Sequence, residues 1–235
     1  MTSASARTFD VRHVQLARAA FAAIAAVMIT FSPDHSAAVV AAVFSGFAIA
    51  TGMVLLLAVW LVYPAGRRWQ AVAIGGITLV AGMAGGLAPL RTVGGFFTVV
   101  IVWALLSGAV ELIAGSLGLR GRTSRREIVP GVADARAAVP VAPRSESRDA
   151  VVIGAVTMIL GVVLLFVQPD YALDYTVEEA GQTFTLTGTI IGVGIFGGYA
   201  AIVAVYLGIA GFSPRPAGAD AVTDAPAPAD QKDSA

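Results

Sequence analysis

The sequence predicts an all-α, polytopic integral membrane protein with six transmembrane helices arranged as three repeated helical hairpins. Hydrophobic residues make up 57% of the chain and charged residues only 13%, whereas soluble domains carry about 25% charged residues. Six apolar stretches come close to or exceed the roughly 20 residues that a spanning helix needs. A proline separates the two stretches of each pair, at Pro33, Pro89 and Pro169, and is expected to end the first helix and set the turn.

The predicted spans follow from the apolar runs between charged or proline-containing segments. In order, they cover residues 16–31, 37–62, 70–88, 93–119, 150–167 and 185–211. The first span is the weakest, because Arg18 stands near its start and is expected to snorkel to the membrane interface. The remaining five are long enough to cross a bilayer without a charged residue near the start.

Small residues recur within the repeat. Gly52 and Gly108 lie at the same distance after the proline of their hairpin, and Gly198 is the expected counterpart in the third copy, judged from the end of the helix. Two pairs have GxxxG spacing, namely Gly82 with Gly86 and Gly194 with Gly198. Because glycines let helix backbones approach closely, we expect these residues to pack the hairpins within one molecule. Contact between copies in a homo-oligomer is the alternative.

Two polar segments lack apolar periodicity, an Arg-rich one at 120–149 and an Ala-, Pro- and Asp-rich one at 213–235. Neither can bury enough apolar surface to offset its ordering entropy, so both are predicted to be disordered. The predicted organisation is an N-terminal segment 1–15, hairpins one and two at 16–119, the linker 120–149, hairpin three at 150–212 and the tail 213–235.

The charge distribution predicts the orientation. All 15 Lys and Arg residues except Arg91 fall on the side that holds both termini, and the positive-inside rule places that side in the cytoplasm. The bias toward Arg and Ala, with Lys232 the only lysine, is typical of a GC-rich bacterial genome, so the membrane is expected to be a bacterial cytoplasmic membrane. The Arg-rich side is expected to contact anionic lipid headgroups, at about 1 kcal/mol per basic residue near the surface. Nucleic-acid binding is not expected, because the linker has no aromatic residue to stack on bases.

Glu111 is the one acidic residue inside a predicted span, and the matched position in the first hairpin holds Leu55. An intramembrane carboxylate is energetically unfavourable and suggests a function. One hypothesis is that Glu111 binds a proton or a cation or gates a polar crevice. The other is structural: Glu111 lies toward the cytoplasmic end of its helix, where it could snorkel, pair with an arginine or bond to a neighbouring helix.

The third outer loop concentrates carboxylates, at Asp170, Asp174, Glu178 and Glu179. Clustering raises the pKa of some carboxyls, so the loop could bind cations or respond to strongly acidic surroundings. The alternative is a solvated loop that is acidic because basic residues are disfavoured outside.

The chain carries no recognisable catalytic or cofactor motif. It has no cysteine, which excludes disulfides, thiolate metal sites and cysteine nucleophiles. Its two histidines lie apart from each other, and no GxSxG, P-loop or HExxH sequence occurs. No catalytic residue, cofactor or metal site is therefore predicted.

The helix, proline turn and helix pattern resembles the HdeD-like family of bacterial membrane proteins. The clearest matches are GGITLVAGMAGGLAPL with VWALLSGAVELIAG, and GAVTMILGVVLLFVQPD. The resemblance covers residues 16–119 and 150–212 and implies six spans in the bacterial inner membrane. The family's namesake is linked to acid resistance. The long Arg-rich insert, the extended third outer loop and the acidic tail depart from the family pattern.

Three functional hypotheses follow from these features. The first is a non-enzymatic inner-membrane protein of HdeD-like type in acid-stress or envelope physiology. The second is a small transporter or channel component that uses Glu111, and the third is a membrane scaffold whose glycine faces recruit partners.

Overall fold

The computed structural model describes residues 9–63, 67–126, 143–178 and 181–213. Each of the six long helices within these ranges contains a stretch long and apolar enough to cross a membrane, which confirms the all-α membrane fold. The helices are α1 Val11–Phe31, α2 Ala37–Leu61, α3 Arg68–Gly86, α4 Val93–Arg126, α5 Arg144–Phe166 and α6 Gly188–Phe212.

Each hairpin turns at its proline. Pro33 lies between α1 and α2, Pro89 lies in a single 3-10 turn at Ala88–Leu90, and Pro169 lies three residues after the end of α5 at Phe166. The hydroxyl of Ser36 accepts a hydrogen bond from Val39 N and caps α2, satisfying one of the backbone donors that a helix start leaves free. We call this end of the molecule the proline end. We call the opposite end, where α1 begins and α6 ends, the arginine end.

The six helices form a closed ring, because each contacts the next along the chain and α6 returns to contact α1. The closest pairs join different hairpins: α2 packs on α3, α4 on α5, and α6 on α1. The two helices of one hairpin are in looser contact. Apolar grooves of about 430 Å³ between α3 and α4 and about 450 Å³ between α1 and α2 open where hairpin helices separate.

Glycines set the close contacts between hairpins. A Cβ on Gly52 would lie 2.8 Å from the backbone nitrogen of Leu79, and one on Gly108 would lie 2.8 Å from that of Met158. A Cβ on Gly82 would lie 2.7 Å from Ile49 N. At these distances no side chain fits without moving the neighbouring helix. Gly86 is less crowded, since its nearest neighbour is the hydroxyl of Ser45, 3.1 Å from the site of a Cβ.

The third close pair, α6 with α1, repeats the register of α4 with α5. Gly115 on α4 faces the Ser147 carbonyl and Val151 of α5, and Gly211 on α6 faces the Arg12 carbonyl and Leu16 of α1 in the same way. The ring therefore consists of three copies of one helix-pair contact. This register makes Ala204 the counterpart of Gly108 and corrects the prediction for Gly198. Ala204 lies eight residues before the end of α6 at Phe212, much as Gly52 lies nine before the end of α2 at Leu61, so the prediction counted too far back from the end of the helix.

Gly194 and Gly198 are not helix-packing residues within the described chain, contrary to the prediction. No other atom lies within 4 Å of a Cβ built on either glycine. Both lie on the outer surface of α6, because the face of that helix toward the ring carries the larger side chains Val193, Phe196 and Val203.

The Arg-rich linker is partly ordered, which corrects its predicted boundaries. α4 continues to Arg126 and α5 begins at Arg144, so helix covers both ends of the segment assigned as 120–149. A helix that is already formed extends through polar residues at little additional cost. The middle of the linker, the tail beyond Ser213 and the first eight residues lie outside the described residues.

The third outer loop contains an antiparallel β-hairpin, with β1 at Ala172–Val177 and β2 at Gln182–Thr187. Its turn includes Gly181 at φ +59°, a left-handed conformation that favours glycine. Tyr175 stacks on Phe184 across the strands, with ring centroids 5.8 Å apart. The alternation of Leu173, Tyr175 and Val177 with polar residues is the period-two signal of a strand.

Candidate functional site

One layer of the ring core contains the only ion pair at that depth among the described residues. Glu111 and Leu207 occupy equivalent positions, because Glu111 lies four residues before Gly115 and Leu207 four before Gly211. Leu55 is equivalent too, because it lies three residues after Gly52, as Glu111 lies three after Gly108. By the same register Arg18 of α1 corresponds to Ile74 of α3 and Ile153 of α5. The four aliphatic members of this layer are all buried, namely Leu55, Ile74, Ile153 and Leu207.

Arg18 and Glu111 form a buried salt bridge in this layer. The Nη1 atom of Arg18 donates to Oε1 of Glu111 at 2.9 Å, and the side chains are 15% and 5% exposed. The prediction that Arg18 snorkels to the interface is therefore wrong. Arg18 turns into the ring instead, because a carboxylate on α4 compensates its charge there. Pairing with an arginine is one of the arrangements that the structural hypothesis named for Glu111.

A polar vestibule of about 70 Å³ reaches the salt bridge from the arginine end. Within it, Gln15 Nε2 donates to Asp149 at 2.8 Å, and the Tyr206 hydroxyl lies 3.1 Å from the same carboxylate. The hydroxyl of Ser147 lines the vestibule, is buried and has no hydrogen-bond partner among the described atoms. A cavity of this size has room for several waters.

A second salt bridge, between Arg67 and Glu146, lies at the wall of the vestibule. The guanidinium of Arg67 also lies 5.9 Å from the ring centroid of Tyr63. Burial, followed by the nearby charge of Glu146, raises the pKa of Tyr63, so its hydroxyl stays protonated at neutral pH. The charged residues lining the vestibule are Arg18, Arg67, Glu111, Glu146 and Asp149, so carboxylates outnumber guanidinium groups.

A smaller cavity of about 20 Å³ lies on the other side of the salt bridge. Glu111 and Arg18 line both cavities. Five hydroxyl side chains line the rest of the inner one, together with the apolar and aromatic side chains of Phe47, Leu55, Ile74, Trp103 and Val203. The hydroxyl side chains are Thr51, Thr78, Ser107, Thr157 and Tyr199. Thr51 Oγ1 is buried without a hydrogen-bond partner among the described atoms. We call this space the inner cavity.

Aromatic side chains close the ring on the proline side of the inner cavity. The ring centroid of Phe44 lies 5.2 Å from that of Trp103 and 5.6 Å from that of Phe196, both edge-to-face. Phe47 packs against the same two rings. All four side chains are buried, so the polar space opens only toward the arginine end.

The acidic residues of the outer loop do not join this site. Asp170, Asp174 and Glu178 are exposed near the proline end, and Asp174 accepts a hydrogen bond from Thr185 Oγ1 in the β-hairpin. Glu179 lies outside the described residues. This geometry fits the solvated-loop hypothesis.

Several site residues were missed from the sequence. Asp149 lies in the segment predicted to be a disordered linker, and Gln15 lies in the predicted N-terminal segment before the first span. The hydroxyl residues gave a usable signal: Thr78 and Thr157 are equivalent in the ring register, as are Thr51 and Ser107. Polar residues repeated at one buried position indicate a shared polar layer.

The fold and the site define an α-helical, multi-pass membrane protein with a one-sided polar interior. Comparisons with protein-family models, curated proteins and solved structures find no match.

Proposed function

We propose that the protein is a non-enzymatic membrane protein of HdeD-like type that binds a proton or a small monovalent cation at Glu111 and moves it through the ring. The observation that carries this proposal is the vestibule, which connects the arginine end to a buried carboxylate. An intramembrane carboxylate in contact with a water-accessible cavity is typical of ion and proton pathways.

Arg18 acts as the gate in this proposal. Its guanidinium lies 2.9 Å from the carboxylate of Glu111 and compensates its charge, as a bound cation would. An incoming ion must displace the guanidinium. Breaking a buried pair by leaving one charge uncompensated is strongly unfavourable, so displacement requires a cation that compensates Glu111 and an alternative partner for Arg18. The carboxylates of Asp149 and Glu146 in the vestibule supply that partner.

Passage beyond the aromatic cluster requires the ring to rearrange. The glycine contacts hold α2 with α3, α4 with α5 and α6 with α1 as rigid pairs. The looser contacts within hairpins, with their apolar grooves, are where pairs can slide against each other. Rocking of rigid units around a fixed site is the usual basis of alternating access.

The test is a flux assay in proteoliposomes, comparing wild type with Glu111→Gln. The matched control is Glu178→Gln, the same change at an exposed position of the β-hairpin turn. We expect proton or cation flux from wild type and the control, and background flux from Glu111→Gln. Equal background flux in all three proteins would overturn the proposal.

The acid-stress role that the resemblance implies fits a protein that handles protons at the membrane. Deletion of the gene is then expected to lower survival at low pH, and a copy with Glu111→Gln should not restore it. Unchanged survival of the deletion strain would count against this role.

We further propose that the arginine end faces the bacterial cytoplasm and contacts anionic lipid headgroups. Arg67 and Arg68 at the start of α3 support this orientation, since basic residues next to spans are retained inside. The chain has no cysteine, so single cysteines can report the topology. An impermeant maleimide added to cells should label Thr183→Cys on the β-hairpin and leave Ser213→Cys unlabelled.

A second candidate function is assembly into a homo-oligomer or scaffold. Gly194 and Gly198 favour it, because they form a GxxxG pair on the outer surface of α6 with no atom within 4 Å of a built Cβ. Such a pair permits close helix contact between molecules. Cross-linking in membranes should weaken with Gly198→Leu and remain with Gly46→Leu, the same change at an open glycine on α2.

A further inference from the structure

We infer that the ion handled at Glu111 is a proton, and that the inner cavity holds one water molecule that relays it between Glu111 and the hydroxyl of Thr51. This inference rests on the proposed function and narrows it. It depends on the volume of the inner cavity and on two buried hydroxyls that lack partners.

The volume limits what the inner cavity can hold. A water needs about 10–15 Å³ of probe-occupied space, so the inner cavity of about 20 Å³ has room for one. A hydrated metal cation does not fit this volume, because it keeps several waters around it. A proton needs only a hydrogen-bonded oxygen.

Each hydroxyl that lines the inner cavity, except that of Thr51, has a hydrogen-bond partner among the described residues. Ser107 Oγ donates to the Trp103 carbonyl at 2.6 Å and Thr157 Oγ1 to the Ile153 carbonyl at 2.8 Å. The indole Nε1–H of Trp103 donates to Thr78 Oγ1 at 3.2 Å. Thr51 Oγ1 lines the inner cavity without a partner among the described atoms. A buried hydroxyl in this state is expected to bind water.

One water satisfies this arrangement. It accepts from the Thr51 hydroxyl and donates to the Glu111 carboxylate and to a free lone pair of Ser107, and three bonds are typical of a buried water. Ser147, the other unpartnered hydroxyl, lines the vestibule on the opposite side of Glu111. The two unsatisfied hydroxyls thus flank the carboxylate along the axis of the ring.

The proton step is balanced at each atom. A hydronium ion in the vestibule gives its proton to a carboxylate oxygen of Glu111, which becomes a neutral acid and leaves a water molecule behind. Arg18 loses its anionic partner and can turn toward Asp149. Glu111 then passes the proton to the water of the inner cavity and recovers its charge, and the hydroxyl of Thr51 turns so that its oxygen accepts from the resulting hydronium ion. When the ring rearranges as the proposed function requires, the hydronium ion gives the proton to a water molecule on the far side and becomes a neutral water again.

Few other titratable groups face Glu111. Arg18 approaches from α1 and Tyr199 from α6, while α2, α3 and α5 contribute aliphatic and hydroxyl side chains to the inner cavity. On the vestibule side the titratable groups are Tyr63, Arg67, Glu146 and Asp149. Among the described residues, Arg18 is therefore the one charged side chain that lines both cavities with Glu111.

The experiment measures proton flux with an entrapped pH dye and, in parallel, sodium and potassium flux with radioisotopes. The variants are Glu111→Gln, Thr51→Val and Thr98→Val, the last being the same change on the exposed face of α4. We expect wild type and Thr98→Val to carry protons only. Thr51→Val should lower proton flux by about tenfold, as loss of one hydrogen bond in the rate-limiting step would give, while its thermal unfolding stays like that of Thr98→Val.

The outcomes separate the two proposals. Sodium or potassium flux that Glu111→Gln abolishes would overturn this inference and leave the proposed function standing. Wild-type proton flux in Thr51→Val would overturn the water relay. Absence of any flux in wild type would overturn both.

Discussion

Two of the three helix-pair copies carry a charged residue at one layer of the ring core, and the third copy is apolar there. Arg18 of the α6–α1 pair stands where the other copies have Ile74 and Ile153, and Glu111 of the α4–α5 pair stands where they have Leu55 and Leu207. The α2–α3 pair keeps the same register with two aliphatic residues at this layer. A buried salt bridge is weak evidence for stability, so the contrast between these copies separates a functional role of the ion pair from a stabilising one.

The two ends of the ring interior also differ in polarity. Toward the proline end the centre is filled by edge-to-face aromatic rings, which exclude water. Toward the arginine end it holds charged groups, hydroxyls and two cavities. The predictions below test whether this polarity supports activity at the expense of stability.

The largest effect is expected from Glu111→Leu, which gives α4 the residue that α2 and α6 carry at this layer. Unlike a protonated Glu111, leucine leaves Arg18 no oxygen to bond in the core, so the guanidinium stays unpaired there unless it moves to Asp149 in the vestibule. We expect the free energy of unfolding in detergent micelles to fall by about 3–5 kcal/mol. Glu178→Leu, the same change at an exposed site, should shift it by no more than about 0.5 kcal/mol. A small effect of Glu111→Leu would mean that Arg18 readily finds another partner.

The double variant Arg18→Ile with Glu111→Leu gives all three helix-pair copies the leucine and isoleucine that the α2–α3 pair carries at this layer. Replacing a buried ion pair by well-packed aliphatic residues is often neutral or stabilising by about 1–4 kcal/mol. We expect this variant to unfold at least as late as wild type and to carry no flux. Stability as low as that of Glu111→Leu would contradict the equivalence of the three copies.

The glycine contacts allow a comparison between the inside and the outside of the ring. Gly108→Ala places a Cβ 2.8 Å from the backbone nitrogen of Met158, and such overpacking is expected to destabilise by about 1–3 kcal/mol. Gly198→Ala, in open space on α6, should be neutral or slightly stabilising, because alanine favours helix. Thermal unfolding of the two variants in the same detergent checks the difference. Equal shifts would place Gly198 at a contact between molecules.

The sequence was sufficient to predict the spans, the turns and Glu111, but not the residues that surround it. Length and hydropathy decide a span, and a carboxylate inside one stands out. The direction of Arg18 could not be read from hydropathy, because alanines such as Ala19, Ala22 and Ala26 form the face of α1 toward the ring, and the outward face is apolar too. Thr51 and Ser107 could not be assigned to the site by hydropathy alone, since a hydroxyl inside an apolar span gives no hydropathy signal that separates a cavity wall from lipid.

The smallest effect concerns the two salt bridges, which lie at different depths. The pair Arg67–Glu146 at the vestibule wall is more exposed than Arg18–Glu111, with side chains 19% and 11% exposed. Glu146→Gln is therefore expected to lower the free energy of unfolding by about 1 kcal/mol or less. Raising the salt concentration from 0.1 M to 1 M shortens the Debye length from about 10 Å to about 3 Å, so this difference should shrink in high salt. The loss caused by Glu111→Leu should persist there, because buried pairs are screened much less. An equal salt response of the two variants would mean that water and ions reach the core layer as freely as the vestibule wall.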